Sequence, residues 1–417
     1  MKDMLGREEV LSVEDAKGLI LKSADFILPH EIEIRIENSL NRILSRDIVS
    51  RENLPPFARS TVDGFSVRAS DTFGAVETAP AYLNIPHEIL MGEEPSFSLT
   101  SGEAARISTG GMLPENADAV VMLEHCCTVS EKLIEVLRPA APGENVIQAG
   151  EDCKSGDIIL RKGHRLRPQD LGVLAGTGIT NVWIYEKPVA AIISTGDEVV
   201  PPFGPITTGK IRDINSYVLA GMVETAGGTP VNKGIFPDNY DVLKEVIEDS
   251  FKESDLIIIS GGSSVGAKDL TAKLINSLGE PGILFHGVSV KPGKPIIYGI
   301  ANGRPVFGLP GHPAAITVCF ELFILPVLRM LTGEKNNLYS RIKKTVRARL
   351  SKNISTGSGR EEHIRVMLEE RDGGIWAVPV LGKSGLITTL VKADGTIVIP
   401  LHKTGLQQGA EVDVELF

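Results

Sequence analysis

The residues best placed to do chemistry lie between Asp255 and Pro295. The stretch Asp255-Leu-Ile-Ile-Ile-Ser-Gly-Gly-Ser-Ser-Val-Gly-Ala-Lys-Asp269 runs a short apolar segment into a glycine-rich turn and then a carboxylate. Gly261, Gly262 and Gly266, with Ser260 before them and Ser263 between them, let the backbone approach a ligand and turn N–H groups toward an anion. Asp269 sits where it could hold a metal ion or a polar ligand group. The segment Lys291-Pro-Gly-Lys294-Pro then supplies two cations on a stiff turn. Anion cradle, carboxylate and lysine pair together point to a phosphorylated or oxyanionic ligand. The turn is not a Walker A loop, because no Gly-Lys-Ser/Thr follows, and it lacks the Gly-x-Gly-x-x-Gly of dinucleotide folds. A buried strand followed by a glycine turn also occurs in α/β proteins generally.

The elements around these residues set where they can act. Leu256–Ile259 is short and rich in β-branched residues, which predicts a strand buried on both faces. Across 180–330, strand-like runs alternate with helical ones. Val189–Ile193, Val231–Phe236, Leu256–Ile259 and Pro305–Leu309 read as strands. Asn215 to Ala226, Tyr240 to Glu253, Thr271 to Leu278 and a long apolar segment from Ala314 to Leu331 read as helices. That alternation predicts a doubly wound, mostly parallel sheet with ligands at the carboxyl ends of its strands. Asp197, Glu198, Asp238, the glycine turn, the lysine pair and His312 all fall at such ends.

Flanking segments differ in pattern. Ser12-Val-Glu-Asp15 reads as a capping box opening a helix to about Leu21. A second helix is expected from Glu37 to about Ser45. From Leu54-Pro-Pro-Phe57 to about Ile147, short strand-like runs between turn signals indicate a β-rich module. Residues 140–175 are a transition ending in a capped helix that starts at Pro168. After Tyr339, Val346–Leu350, His363–Val366, Trp376–Val380, Ile397–Ile399 and Val412–Leu416 alternate as strands of a small barrel or sandwich. The expected division is 1–54 with 140–178 as a helical and linker part, 55–139 as the β-rich module, 179–332 as the α/β domain, and 333–417 as a C-terminal β-barrel.

Bulk properties exclude some functions. The chain has 417 residues, 42% hydrophobic and 23% charged, the balance of a globular protein of several domains. A net charge of −10 argues against general nucleic-acid binding, so any anionic ligand must be held by a local basic pocket. Cys126, Cys127, Cys153 and Cys319 form no C-x-x-C pair, and adjacent Cys126 and Cys127 beside His125 have poor spacing for one metal. Without an apolar signal core, or an apolar run of about 18 residues, the expectation is a cytoplasmic protein with no membrane contact.

Seven motifs in order give the chain a resemblance to a known family. They are Pro55-Pro-Phe-Ala-Arg-Ser-Thr-Val-Asp-Gly-Phe-Ser-Val-Arg68, Ile107-Ser-Thr-Gly-Gly-Met-Leu-Pro-Glu-Asn-Ala-Asp-Ala-Val-Val121, Gly150-Glu-Asp152 and Ser194-Thr-Gly-Asp-Glu198. Ser260-Gly-Gly-Ser-Ser-Val-Gly266, Lys291-Pro-Gly-Lys-Pro295 and Gly308-Leu-Pro-Gly-His-Pro313 complete them. Over nearly its whole length the chain resembles the MoeA family, the molybdopterin molybdenumtransferases, related to the E domain of gephyrin. Val62, Gly111, Asn116, His312 and the pair Ala314-Ala315 depart from the usual residues. None of these departures removes a carboxylate or a lysine.

The resemblance implies a MogA-like α/β domain between the β-rich module and the barrel. It implies molybdenum insertion from molybdate into adenylylated molybdopterin, with release of AMP and with Mg2+ required. It also implies a homodimer whose sites are shared between subunits, with transient contact to other proteins of the pathway. By position, Asp63 and Thr109 would contact substrate or molybdate, and Asp152 and Glu198 would be functional acids. Asp238 and Asp269 would serve the metal and the phosphate. Lys291 and Lys294 would clamp phosphate or molybdate, and Arg360 and Ser384 would face the site. Each has a plainer reading. Asp63 could start a turn with Gly64, Asp197 could cap a helix, and Asp152 and Asp238 could be solvated loop acids. Other functions compatible with the resemblance are an adenylyltransferase of the same pathway and a non-catalytic molybdopterin-binding scaffold.

Overall fold

The computed structural model describes residues 10–24, 30–261, 265–334, 344–357, 359–371 and 373–417, and for 24 and 265–269 it describes the backbone alone. The chain divides into two compact units. One comprises the described residues of Met1–Ile32, Asn41–Ser45 and Ile184–Phe417, and the other comprises Glu33–Leu40 and Arg46–Trp183.

The first unit is built on a six-stranded sheet. Its order is Thr229–Phe236, Val189–Thr195, Leu256–Gly261, Arg304–Leu309, Ile297–Ala301 and Gly282–His286. The first four strands are parallel, and an antiparallel pair forms one edge. Side chains alternate along each strand, so the apolar runs feed both faces. Ile192, Ile258 and Phe307 pack on one face with Ala16, Ile20, Leu219 and Phe323. Ile193, Ile257 and Ile259 pack on the other with Leu243, Ile247 and Ile275. Burying each such side chain is worth about 1.5–3 kcal/mol. This is the expected doubly wound sheet.

The helices follow their sequence signals with some shifts. Ser12 opens Val13–Ala24: its Oγ accepts from the Asp15 N–H at 3.1 Å and donates to Asp15 Oδ2 at 2.7 Å. Asn239 caps Tyr240–Ser250 through the N–H groups of Asp241 and Val242. The long apolar helix runs Pro313–Leu331 and contains a π-helical stretch, Phe320–Ile324, just before Pro326. Proline has no N–H to give the preceding turn, and a wider turn accommodates that. With a mean hydropathy of 2.0, this helix is long and apolar enough to cross a bilayer by length and composition, although Glu321 and Arg329 interrupt its apolar run; most of it is buried in the sheet core.

Two expectations are corrected. No helix spans Glu37 to Ser45. Glu31–Arg35 is extended, Ile36–Asn38 is a single 3-10 turn, and Asn41 is left-handed at φ 64°. Ser39 Oγ donates to the Ile36 carbonyl at 2.7 Å, the side-chain competition that disfavours helix continuation. The helix expected from Thr271 already begins at Val265 and runs Val265–Ser277.

The C-terminal segment closes into a five-stranded barrel of Thr345–Leu350, Glu411–Leu416, Gly395–Ile399, Glu361–Arg371 and Gly374–Pro379. One of its pairings, Arg349 with Trp376, is parallel; the others are antiparallel. Leu350, Val366, Ala377, Ile399 and Val414 fill it. A short strand, Val290–Lys291, pairs with the barrel strand Glu361–Arg371, placing Val290 opposite Glu361 and Lys291 opposite Glu362.

The second unit holds a curled six-stranded sheet ordered Ala119–Met122, Gly64–Val67, Glu103–Ile107, Ala81–Glu88, Leu133–Val136 and Cys126–Ser130. Phe65, Val67, Leu83, Val121 and Ile134 form its core. Within the strand Cys126–Ser130, Cys126 packs against this core and Cys127 is exposed.

Helix Pro168–Gly176 of this unit is held at its start by buried Asp170, 3% exposed. Its carboxylate takes the Arg167 N–H at 2.7 Å, the Arg167 guanidinium at 3.0 Å through both oxygens, and His164 Nε2 at 2.7 Å. The Arg167 guanidinium, ahead of the other donors, holds this carboxyl well below the usual range. Its ionised form therefore stabilises the fold at neutral pH, and that contribution is lost as pH falls from about 4, the unfolded carboxyl value, through the lower folded one. Asp170→Asn is expected to cost about 1–3 kcal/mol at pH 7. In urea denaturation the gap to the native chain should narrow below pH 4; a constant gap would show that charge is not the cause.

Candidate functional site

The carboxyl ends of the parallel strands carry a connected set of polar side chains. At the end of Val189–Thr195, the Thr195 hydroxyl donates to Asp238 Oδ1 at 2.5 Å. The preceding Ser194 hydroxyl donates to Asp213 Oδ2 at 2.9 Å, and Asp213 Oδ1 accepts the Ser216 N–H at 3.1 Å, which starts helix Asn215–Thr225. Asp213 thus ties the strand end to the helix start. Glu198 is exposed, and its carboxylate folds over Gly196, where an added Cβ would lie 2.8 Å from Oε2. Asp197 is exposed, and its carbonyl accepts from Lys210 Nζ at 2.5 Å.

The neighbouring strand Leu256–Gly261 ends in contact with the same corner. Gly261 has φ +142°, and a Cβ there would sit 1.9 Å from the Thr195 carbonyl oxygen, so only glycine permits this approach. Buried Ser260 carries a hydroxyl with no hydrogen-bond partner among the described residues. Gly262 and Ser263 lie outside the described residues. Gly266 and Asp269 belong to helix Val265–Ser277 rather than to a turn, and the Asp269 side chain lies outside what is described.

A pocket of about 550 Å³ opens where the lysine turn meets the barrel. Lys291, Lys294, Arg360 and Ser384, all expected at the site, line it together. The turn is pinned from behind at Gly293, φ +120°, where a Cβ would meet Cys319 Sγ at 2.7 Å. Lys291 Nζ lies 3.2 and 3.1 Å from the two oxygens of Glu362, which is 3% exposed. Ser384 Oγ lies 3.0 Å from His312 Nδ1, and the Ser384 carbonyl accepts the Ala314 N–H at 3.1 Å. These two bonds hold a barrel loop against the start of the long helix. Lining this pocket are five cationic side chains, Lys291, Lys294, Arg360, Arg365 and Lys383, against one carboxylate, Glu362. Glu198, Asp238, Ser260 and Gly261 do not line it.

In the second unit, two more expected residues meet directly. Asp63 Oδ1 accepts both the backbone N–H of Thr109 at 2.7 Å and its hydroxyl at 3.0 Å. The backbone donor first, and the hydroxyl second, hold the Asp63 carboxyl below its ordinary value. Asp152 is exposed on a loop whose backbone bonds to Leu54, with its N–H reaching the Leu54 carbonyl at 3.0 Å.

Comparison with known proteins accounts for this architecture. Residues 11–178 match the MoeA N-terminal region, domains I and II; residues 191–330 match a probable molybdopterin binding domain; and residues 347–417 match the MoeA C-terminal region, domain IV. The chain is 33% identical to the molybdopterin molybdenumtransferase of Bacillus subtilis over 92% of this chain and 89% of that one. It is 30% identical to that of Haemophilus influenzae over 98% and 99%. The crystal structure of the molybdopterin biosynthesis moeA protein from Pyrococcus horikoshii OT3 superposes with a TM-score of 0.84 at 32% identity, covering 98% of this chain and 100% of that one. The chain belongs to the MoeA family.

Several residues of this MoeA-family site escaped the sequence reading. Glu362 and Arg365 sit in a barrel strand whose alternation signals only a strand, Lys383 lies in the loop after Gly374–Pro379, and their common pocket depends on a strand pairing far along the chain. Asp213 and Ser194 carried a weak signal, an acid three residues before a helix N–H. The Asp63 geometry is directly testable. Thr109→Val removes the hydroxyl donor and keeps the backbone one. The Asp63 carboxyl, followed by NMR titration, should move part of the way back toward its ordinary value. No movement would show that the hydroxyl does not touch it in solution.

Proposed function

We infer that this chain is a molybdopterin molybdenumtransferase that inserts molybdenum from molybdate into adenylylated molybdopterin and releases AMP. The observation that carries this reading is the pocket of five cations and one carboxylate in a chain of net charge −10. Both substrates are oxyanionic, and lysines with guanidinium forks are the groups that hold such ligands. In this reading Lys291, Lys294, Arg360 and Ser384 bind molybdate or phosphate oxygens. Ser260, Gly261, Gly262, Ser263 and Gly266 bind the cofactor at the strand end. Asp63, Thr109, Asp152, Glu198 and Asp269 serve the reaction.

Mg2+ is proposed at Asp238 and Asp269. Magnesium is commonly held by one or two carboxylates, with waters and substrate phosphates completing its shell. Asp238 suits this, since Thr195 occupies Oδ1 at the strand end and leaves the other carboxylate oxygen without a protein donor among the described residues. Among those residues no group of three His, Cys, Asp or Glu could hold a metal ion unaided. When bound, magnesium would neutralise charge on the phosphate oxygens as AMP leaves. The chain's own part is to orient the linkage through the lysine turn and to keep Asp238 aligned through Thr195.

The proposal extends to a cytoplasmic homodimer. It also extends to a division into 1–54 with 140–178, 55–139, 179–332 and 333–417, with the last two carrying the pocket.

Incubation with adenylylated molybdopterin, molybdate and Mg2+ should release AMP in step with formation of active molybdenum cofactor. Adenylate formation from molybdopterin and Mg-ATP, with no molybdate requirement, would replace this reading with an adenylyltransferase. Binding of molybdopterin without turnover would replace it with a scaffold. Lys294→Ala should weaken molybdate binding more at low salt than at high salt, because an ionic contact near solvent is screened. Equal losses in titrations at both salt concentrations would count against a charge clamp.

A further inference from the structure

Arg365 raises a problem that the reading above does not solve. It is 8% exposed, on the barrel strand Glu361–Arg371, and it lines the pocket. Its Nη2 donates to the Gly382 carbonyl at 3.3 Å, and its Nε has no partner among the described residues. Burial pulls its pKa down, yet a guanidinium keeps its proton at any ordinary pH. No carboxylate among the described residues pairs with it, and Glu362, the pocket's one carboxylate, is taken by Lys291. A buried charge without a counter-charge is costly and persists where a ligand supplies the compensation.

Lys383 points to the same need. It follows Gly382, the residue Arg365 holds, and it precedes Ser384, which His312 holds. It lines the pocket, and its side chain makes no ion pair among the described residues. The barrel therefore brings a pair of cations, Arg365 and Lys383, that is separate in sequence and in anchoring from the lysine turn. A single tetrahedral oxyanion is small beside 550 Å³, a volume in the range that accommodates whole small molecules.

We propose that Arg365 and Lys383 bind a second anionic group of the pocket's ligand, distinct from the group met by Lys291 and Lys294, so that the pocket selects a ligand bearing two linked oxyanions such as a phosphate anhydride. This rests on the pocket being the oxyanion site, and it assigns two residues to recognition of the larger substrate rather than of molybdate.

Isothermal titration with two probes, inorganic pyrophosphate and molybdate, tests it. The native chain should bind both. Lys383→Ala, an exposed position, should weaken pyrophosphate about tenfold, the size of one charge-assisted hydrogen bond, and leave molybdate within about twofold. Arg365→Met should do the same and should leave the ligand-free protein at least as resistant to urea, because an apolar side chain replaces an uncompensated charge. Lys294→Ala should weaken both probes. Equal losses of both probes in the Lys383 and Arg365 variants, or no loss of either, would overturn the proposal. An Arg365→Met chain that is less stable but binds pyrophosphate unchanged would also overturn it, showing only a clamp on Gly382. Failure of the native chain to bind either probe would instead remove the oxyanion reading of the pocket, and this inference with it.

Discussion

The two-residue ladder between Val290–Lys291 and the start of Glu361–Arg371 is the contact on which the pocket depends. It places Lys291 directly across from Glu362, and the side chains repeat the pairing at 3.1–3.2 Å. The lysine turn belongs to the α/β part of the chain and the carboxylate to the barrel. One short ladder therefore fixes both the approach of the barrel to the sheet edge and the direction of a cation. Gly293 packs the back of the turn against the long apolar helix, so the turn is held from two sides. Removing Glu362 would leave Lys291 with no fixed orientation, and removing Lys291 would leave a buried carboxylate unpaired. The second loss is the more costly, because desolvated charge without a partner is the less tolerable state.

The same logic separates two regions along the carboxyl edge of the central sheet. At the strand ends, two of the acids already have protein partners: Asp238 has Thr195, and Asp213 has Ser194 and the Ser216 N–H. These bonds hold acids in place near the backbone corner where Gly261 meets Thr195. In the pocket the balance is reversed, with cations outnumbering the single acid. Acids gather at the Gly261–Thr195 corner, and cations gather in the pocket.

How much of this was legible in sequence depends on how local each signal is. The run Leu256-Ile-Ile-Ile259 has no polar face, and it feeds both cores of the sheet, as a strand buried on both sides must. Ser12 and Pro168 marked helix starts because capping chemistry acts within three or four residues. The segment 37–45 misled because its apolar spacing suits a helix, while Ser39 and Asn41 favour a turn, and local hydrogen bonding won. The lysine turn and Ser384 were visible as motifs. Arg365 was not, because a charged residue in an alternating strand normally reads as solvent-facing, and Lys383 was not, because a loop lysine normally reads the same way. Arg365 alternates with Val366, which fills the barrel, so it lies on the barrel's outer face and is buried where that face meets the pocket with the lysine turn. The Asp63–Thr109 bond spans 46 positions and has no periodicity to betray it.

An acidic protein that binds anions is consistent once distance is considered. Charges spread over the surface are screened within about 8 Å at physiological ionic strength, whereas a cation in contact with its ligand acts at about 3 Å, where screening is slight. Arg365, 8% exposed, is the extreme case, since little solvent reaches it to weaken its field. The exposed acids then lower encounter rates for anions without weakening the bound state to the same degree. Such a site favours ligands that can engage several cations at once, because each added contact is gained inside the pocket while the long-range repulsion grows more slowly with salt present. Charge placement in the barrel loops, rather than total charge, therefore decides which anions stay.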